Sequence, residues 1–275
     1  MKPAPFDYVR AESLDEALDV LHEAGSDARV LAGGQTLVPM LNMRVAQLRV
    51  IVDIMRVPEL NRIDDAGDMI RVSAAVRQRE LERKSDLASR QPLLAAAVPW
   101  VGHAQTRSRG TVCGSIAHAD PSAELPLALV ALGGSVTLSS RRRRRTLAAD
   151  QFFLGCMSTA RRDDELIAGV SFPLERPGHG YAFREFARRH GDFAIVACAA
   201  VVTRDSTRLA VGGVADRPVA RDLGDVSGGA LEAALDAFAY DLDAREDMHA
   251  TARFRRDLVR RLGRATIAEA QLCLG

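Results

Sequence analysis

Hydrophobic and polar positions along this chain switch between a period near two and one near 3.6, and the switches mark its elements. Residues 6–10 read as a strand, and Ser13 with Glu16 reads as a capping box opening a helix. Leu14, Ala17, Leu18 and Leu21 fall on one face of that helix before Gly25 stops it. Residues 29–31 make a short strand, 37–41 a helical turn, and Val50, Ile51, Val52 and Ile54 another strand. Strand patterns at 70–75, 135–138 and 165–172 follow, with helical stretches at 78–87, 92–103 and 124–132, the last ended by Gly133 and Gly134. A Pro- and Gly-rich linker covers 173–180. Beyond it lie apolar strands at 193–202 and 209–214, a helix at 230–238, and a basic amphipathic helix at 250–267 carrying Phe254, Leu258, Val259 and Leu262. The order predicts an α+β chain of three units: one lobe over 1–57, a second over 58–175, and a small α+β domain over 176–275.

Two glycine-bearing segments stand out against this pattern. In Leu31-Ala32-Gly33-Gly34-Gln35-Thr36-Leu37, paired glycines separate a strand from a helix start. Glycine lacks a Cβ and tolerates positive φ, so the amides of Gly33, Gly34, Gln35 and Thr36 can converge on one anion such as a pyrophosphate. An ordinary turn is the other reading of the same residues. The segment from Arg109 to Glu124, RGTVCGSIAHADPSAE, repeats the chemistry: Gly110 and Gly114 flank Thr111, Ser115 adds a second hydroxyl, and the acids Asp120 and Glu124 follow. Those acids suit either hydroxyl recognition or the N-terminal end of a helix, where the macrodipole favours negative charge. Two such loops, one per lobe, predict a long phosphate-bearing ligand held between the lobes.

Composition narrows the classes. The 275 residues include 37 basic and 36 acidic side chains, a net charge of +1, so the overall balance supports neither a nucleic-acid nor a membrane partner. No apolar run reaches the roughly 20 residues of a membrane span, and Met1-Lys2-Pro3-Ala4-Pro5 has no signal-peptide core, so a cytoplasmic location is expected. Cys113, Cys156, Cys198 and Cys273 are too scattered to ligate an iron-sulfur cluster, and His118 has no companion spaced to hold a metal. The run Arg141-Arg142-Arg143-Arg144-Arg145 lacks interleaved aromatics and reads as a solvated hairpin turn, with a subunit contact as the second reading.

The motifs AGGQTL (32–37) and RGTVCGSIAHADPSAELP (109–126), with GHAQTR (102–107), GYAFREFARRHGDFA (180–194) and GGVADRP (212–218), closely resemble the FAD-binding medium subunit of the molybdenum hydroxylases, the family of carbon monoxide dehydrogenase flavoprotein and xanthine dehydrogenase-like proteins. The resemblance runs from Phe6 to the C-terminal helix. It implies a two-lobed FAD-binding domain of the vanillyl-alcohol oxidase (PCMH) type, followed by a small α+β domain. It also implies FAD on this chain, with the molybdopterin cofactor on a large partner subunit and 2Fe-2S clusters on a small one, in a dimer of heterotrimers serving an external electron acceptor. The loop from Leu31 to Leu37 and the trio Thr111, Gly114 and Ser115 are then the pyrophosphate-binding elements. Glu124, in preference to Asp120, recognises a cofactor hydroxyl or the adenosine side, and His118 is a polar hydrogen-bonding position. Gly102, His103 and Gln105 line the flavin, although a histidine satisfied by helix carbonyls fits equally. Ile167 stands against the ring or is simply a buried strand residue, and Arg184 is the candidate cation beside the flavin. Cys113 occupies a position where relatives commonly have glycine. No catalytic acid, nucleophile or metal is expected on this chain, since the redox chemistry belongs to the cofactor. Three other readings remain: a non-catalytic nucleotide-binding assembly subunit, a nucleic-acid binder acting through the arginines, and a single-chain flavin oxidase.

Overall fold

The computed structural model describes residues 2–274. Its first lobe contains β1 (Asp7–Arg10), α1 (Leu14–Ala24), β2 (Ala28–Leu31), α2 (Leu37–Asn42) and β3 (Val50–Asp53). The three strands form a parallel sheet in the order β1-β3-β2, onto which α1 buries Ala17, Leu18 and Leu21. Ser13 caps α1 by accepting the Glu16 amide at 3.1 Å, while the Glu16 carboxylate takes the Glu12 amide rather than that of Ser13. In a parallel sheet the carboxyl ends of all strands share one edge. Leu31 and Asp53, the last residues of β2 and β3, are register partners there, so the loops that follow them meet.

The second lobe holds β4 (Ile63–Ala66), β5 (Met69–Ser73), α3 (Gln78–Glu82), α4 (Leu87–Arg90), α5 (Pro92–Ala97), α6 (Ala104–Arg109), α7 (Val112–His118), α8 (Glu124–Ala131), β6 (Ser135–Ser139), β7 (Arg144–Ala148), α9 (Ala149–Phe152), β8 (Phe153–Gly155), β9 (Ser158–Thr159) and β10 (Leu166–Pro173). An antiparallel sheet of order β4-β5-β10-β6-β7 forms its base. Every residue of α8 is buried, which explains why the helix is apolar nearly all round.

The C-terminal unit is an antiparallel sheet of β11 (Gly180–Phe186), β12 (Val196–Val202), β13 (Thr207–Gly212) and β14 (Val219–Asp222), with α10 (Gly228–Asp241) and α11 (Ala252–Leu272). Both faces of β12 are covered. Val196, Cys198, Ala200 and Val202 join the core formed with α10 and α11, while Ala197 and Ala199 join the core of the first two lobes. Burial on two sides accounts for a continuous apolar run of small residues. Gly180 of β11 lies so near the Ala270 carbonyl that a Cβ there would collide with it.

Several sequence expectations change. The second glycine segment is mostly helix: Thr111 caps α7, and small residues that read as loop fill its turns. The helix expected over 78–87 stops at Glu82, and the one over 92–103 gives way after Ala97 to a single tight turn at Val98–Trp100. The strand expected from Phe193 starts at Val196, leaving Phe193 exposed in the preceding loop. Strands β4, β8, β9, β11 and β14 were not expected from the pattern; most are short or polar, and carry too few alternations to register.

Candidate functional site

The loop after β2 is built around Gly33 and Gly34. Gly34 has φ of +70°, the left-handed region that glycine enters freely, and this turns the chain into α2. Gly33 serves a different need. A Cβ on it would collide with the Arg109 carbonyl oxygen and lie 2.6 Å from the Gly110 Cα, so the first loop is pressed directly onto the second segment. Among the described residues, the amides of Gly33, Gly34, Gln35 and Thr36 donate to no protein acceptor, although the Gly34 and Thr36 carbonyls accept from Val38 and Met40. Four successive donors are thus left for a ligand.

Gly33, Gly34 and Gln35 border a cavity of about 530 Å³ between the lobes, lined from Leu31 to Gln35 and by Val38, Pro39, Asp53, Met55, Arg77 and Arg109. Arg77 donates to the Ser108 carbonyl at 3.3 Å, and among the described residues no carboxylate pairs with the guanidinium of Arg77 or Arg109. Asp53 is already committed, accepting from the Met55 amide at 2.8 Å and from the Tyr8 hydroxyl. Free amides with two unpaired guanidinium groups form a donor set suited to a diphosphate. The residues present therefore fit the pyrophosphate of FAD. Sequence reasoning did not single out Asp53, Met55, Arg77 or Arg109 as lining residues. The carboxyl-end position of Asp53 in a parallel strand was the available signal.

The second segment spends its donors internally. The Thr111 hydroxyl accepts the Gly114 amide at 3.0 Å, the Ser115 amide bonds the Thr111 carbonyl at 3.2 Å, and the Val112 amide reaches the Val76 carbonyl at 3.0 Å. A Cβ at Gly114 would come within 2.7 Å of Thr111 Oγ1, so this glycine makes room for the cap. What remains for a ligand is side-chain chemistry: the Thr111 hydroxyl proton, and the Ser115 and His118 side chains, which have no hydrogen-bond partner among the described residues. Cys113 points into the core towards the Val72 carbonyl, and burial pushes its thiol up to about 12, so it is a neutral packing residue.

Thr111, Gly114, Ser115 and His118 are not among the residues lining the cavity, and the other expected site residues also lie apart from it. Ala119 ends α7 with φ of +53°, and its carbonyl accepts the amide of Met157, whose φ is also positive. Asp120 then caps a turn by accepting the Ser122 amide at 2.8 Å, and it lines a second cavity of about 520 Å³ with Arg188, Phe193, Arg245 and His249 where lobe two meets the C-terminal unit. Glu124, the first residue of α8, is only 3% exposed, and burial, with Asp120 nearby, pushes its carboxyl up to about 7. His103 is exposed, begins α6, and packs against Gly191, while the Gly102 carbonyl accepts from Arg107 at 3.2 Å. Ile167 is a buried core residue of β10 next to a bulge. Arg184 is turned towards α11, where it pairs with Glu269 at 2.7 Å, and Glu185 instead takes the face of β11 that looks at lobe two.

Residues 4–175 match the family described as the FAD binding domain in molybdopterin dehydrogenase, and residues 181–270 match the CO dehydrogenase flavoprotein C-terminal domain. The 6-hydroxypseudooxynicotine dehydrogenase complex subunit alpha of Paenarthrobacter nicotinovorans is 37% identical over 98% of this chain and 96% of its own length. The nicotine 6-hydroxylase medium subunit of the same organism is 39% identical, over 98% of this chain and 99% of its own. Among solved structures, a carbon monoxide dehydrogenase from Hydrogenophaga pseudoflava lacking the Mo-pyranopterin moiety of its cofactor superposes with a TM-score of 0.94 at 30% identity, covering 100% of both chains.

Proposed function

The chain belongs to the family of FAD-binding medium subunits of the molybdenum hydroxylases, and we propose that it is the electron-transfer subunit of such a complex, receiving electrons from 2Fe-2S clusters on a small partner and passing them to an external acceptor. The observation that carries this reading is the cradle at the carboxyl ends of β2 and β3: four unspent amides beside Arg77 and Arg109. Bound FAD supplies a carrier that exchanges electrons singly or in pairs. The protein's share is positional. The amides of Gly33 to Thr36 hold the diphosphate, Arg77 and Arg109 neutralise it, and the Thr111 hydroxyl with Ser115 and His118 offers hydrogen bonds from the facing segment. Residues of both lobes, 1–57 and 58–175, line the cavity that would hold the cofactor, and the domain at 176–275 packs beside them. Cluster ligands being absent from the cysteine pattern, the electron path requires the small subunit and a large molybdopterin-bearing one, in a dimer of heterotrimers.

Purified from its host, the chain should carry about one non-covalently held FAD, released on acid denaturation, and should co-purify with two further subunits. A colourless preparation that takes up no added FAD would refute the flavin reading. Reduction of an acceptor by an organic substrate with this chain alone would refute the subunit reading.

A further inference from the structure

The cavity at the carboxyl ends of β2 and β3 is walled mainly by donors, and one residue breaks that pattern. Gly33, Gly34, Gln35, Arg77 and Arg109 bring N–H groups to it, whereas Asp53 is the one carboxylate among the described residues that line it. A carboxylate repels a diphosphate, so a site made for phosphate alone is better without one. Neither guanidinium of the cavity neutralises it. Among the described residues its partners are the Met55 amide, 2.8 Å from Oδ1, and the Tyr8 hydroxyl at Oδ2. Those two bonds fix the plane of the carboxylate without exhausting it, since such a group has about four lone-pair sites and one on each oxygen stays open.

The sheet dictates where this acceptor stands. Asp53 ends the central strand β3, in register with Arg10 of β1 and Leu31 of β2. The Ile54 amide bonds the Leu31 carbonyl at 3.1 Å and ties the chain after Asp53 to the root of the glycine loop. Asp53 is therefore one strand spacing, about 4.8 Å, from that root. A sugar esterified to a diphosphate on the loop comes within its reach, and Leu31, Val38, Pro39 and Met55 line the same cavity and give a base an apolar wall. A glycine loop after one parallel strand, with an acid at the carboxyl end of its neighbour, is how doubly wound sheets hold the ribose of a dinucleotide. Glu124, the acid expected from the sequence to meet a cofactor hydroxyl, is 3% exposed and lies outside this cavity.

We propose that Asp53 is a specificity residue of the cradle: it accepts a hydrogen bond from a hydroxyl of the adenosine ribose, so that the site takes a nucleoside diphosphate whose ribose is intact. Tyr8 and the Met55 amide hold the carboxylate in place for that bond. Naming the sugar as the ribose of FAD rests on the flavin reading above; the demand for a sugar hydroxyl rests on Asp53 itself.

The experiment uses the protein assembled with its partner subunits and stripped of flavin. FAD rebinding is followed by the quenching of flavin fluorescence, with ADP, 2′-deoxy-ADP, 3′-deoxy-ADP and FMN as competitors, for wild type, Asp53→Asn and Asp53→Ala. In wild type, one of the two deoxy nucleotides should compete about tenfold less well than ADP, the worth of a hydrogen bond to a charged acceptor. That gap should narrow in Asp53→Asn, which keeps a neutral acceptor, and close in Asp53→Ala. If Asp53 serves only to hold the strand end, Asp53→Ala weakens ADP and both analogues alike and any gap persists, which would overturn the proposal. Should the variants not fold, the wild type decides, because equal competition by ADP and both deoxy nucleotides overturns it as well. Competition by FMN that depends on Asp53, with none by ADP, would move the hydroxyl to the ribityl chain and overturn the ribose assignment. FAD rebinding without a deoxy gap refutes this inference and leaves the flavin reading standing; a protein that takes up neither FAD nor ADP overturns both.

Discussion

The two glycine segments are written in similar residues and do opposite things with them. After β2, the amides from Gly33 to Thr36 are left without acceptors, and Gly33, Gly34 and Gln35 line a cavity. After α6, the amides of Gly110, Val112, Gly114 and Ser115 are each bonded within the protein, and the run continues as α7. Glycine content therefore does not identify a phosphate loop; unspent donors do. The glycines also differ in what forbids a side chain. Gly33 faces backbone of the other lobe, which cannot yield, whereas Gly114 faces the hydroxyl of Thr111, which can rotate away.

That difference sets the largest expected effect. Gly33→Val puts a branched side chain against the Arg109 carbonyl and Gly110 Cα, so the loops must separate. Overpacking of this kind costs about 1–3 kcal/mol, and here the displaced element is the cradle itself. The purified variant should be folded by circular dichroism and lack flavin absorbance. Full flavin occupancy in a folded Gly33→Val protein would show that the first loop is not the diphosphate site.

The same contrast between committed and free groups divides the arginine run, and the sequence reading of it as uniformly solvated needs correcting. Arg145 grips the buried Glu165, with Nε at 2.6 Å and Nη2 at 2.7 Å from its two oxygens, and also reaches the Ala160 carbonyl at 2.7 Å. Burial opposes ionisation of Glu165, yet the Arg145 guanidinium and the Arg162 amide outweigh it and hold the carboxyl below the usual range. Arg145→Gln leaves that carboxylate unpaired and should lower stability by on the order of 2–3 kcal/mol in urea titration. A loss under half a kcal/mol would mean that Glu165 finds water or another partner. Arg141 is also engaged, with Asp19 of α1, and so fastens the hairpin to lobe one.

Much of the fold was legible because long periodic segments dominate it: α1, β12 and α11 carry their burial in their spacing. The first loop was legible for another reason, since paired glycines between a strand and a helix mark a place where the chain needs positive φ or a close backbone approach. The second segment misled because Gly, Ser and Ala are read as loop, and only the Thr111 cap and the packing on Val76 make it helical. Arg77 and Arg109 come to the cavity through the contact between lobes, and no local pattern reports a contact between residues 33 and 109. Arg184 and Glu185 show the finest limit. Adjacent residues on a strand face opposite ways, and which of them faces lobe two depends on the register of β11 with β12, not on either side chain's chemistry.

A smaller effect tests the second segment. Thr111→Val removes the hydroxyl that accepts the Gly114 amide and should cost about 1 kcal/mol, the usual worth of such a cap. Gly114→Ala disturbs the same cap by crowding Oγ1, but alanine in a helix gains about 1 kcal/mol over glycine, so the two terms nearly cancel. Urea titrations should therefore rank Thr111→Val below Gly114→Ala, both still binding FAD. A reversed ranking would show that the Cβ at 114 meets more than the hydroxyl.

The smallest effect belongs to the arginines that remain free. Arg142, Arg143 and Arg144 are exposed at the turn and start of β7, an edge strand, and among the described residues none has an acidic partner. Each is surrounded by like charges, so changing all three to glutamine should shift stability by no more than a few tenths of a kcal/mol and could raise it slightly at low salt. Flavin content should be unchanged, because no arginine of this run lines the cavity. The informative readout is assembly. If the triple variant still co-purifies with its partner subunits at low and high salt alike, these charges serve only to keep an edge strand soluble. If instead assembly weakens by tenfold or more at low salt, and the difference from wild type vanishes at high salt, the hairpin meets an acidic partner surface, and the free half of the run is a contact of its own.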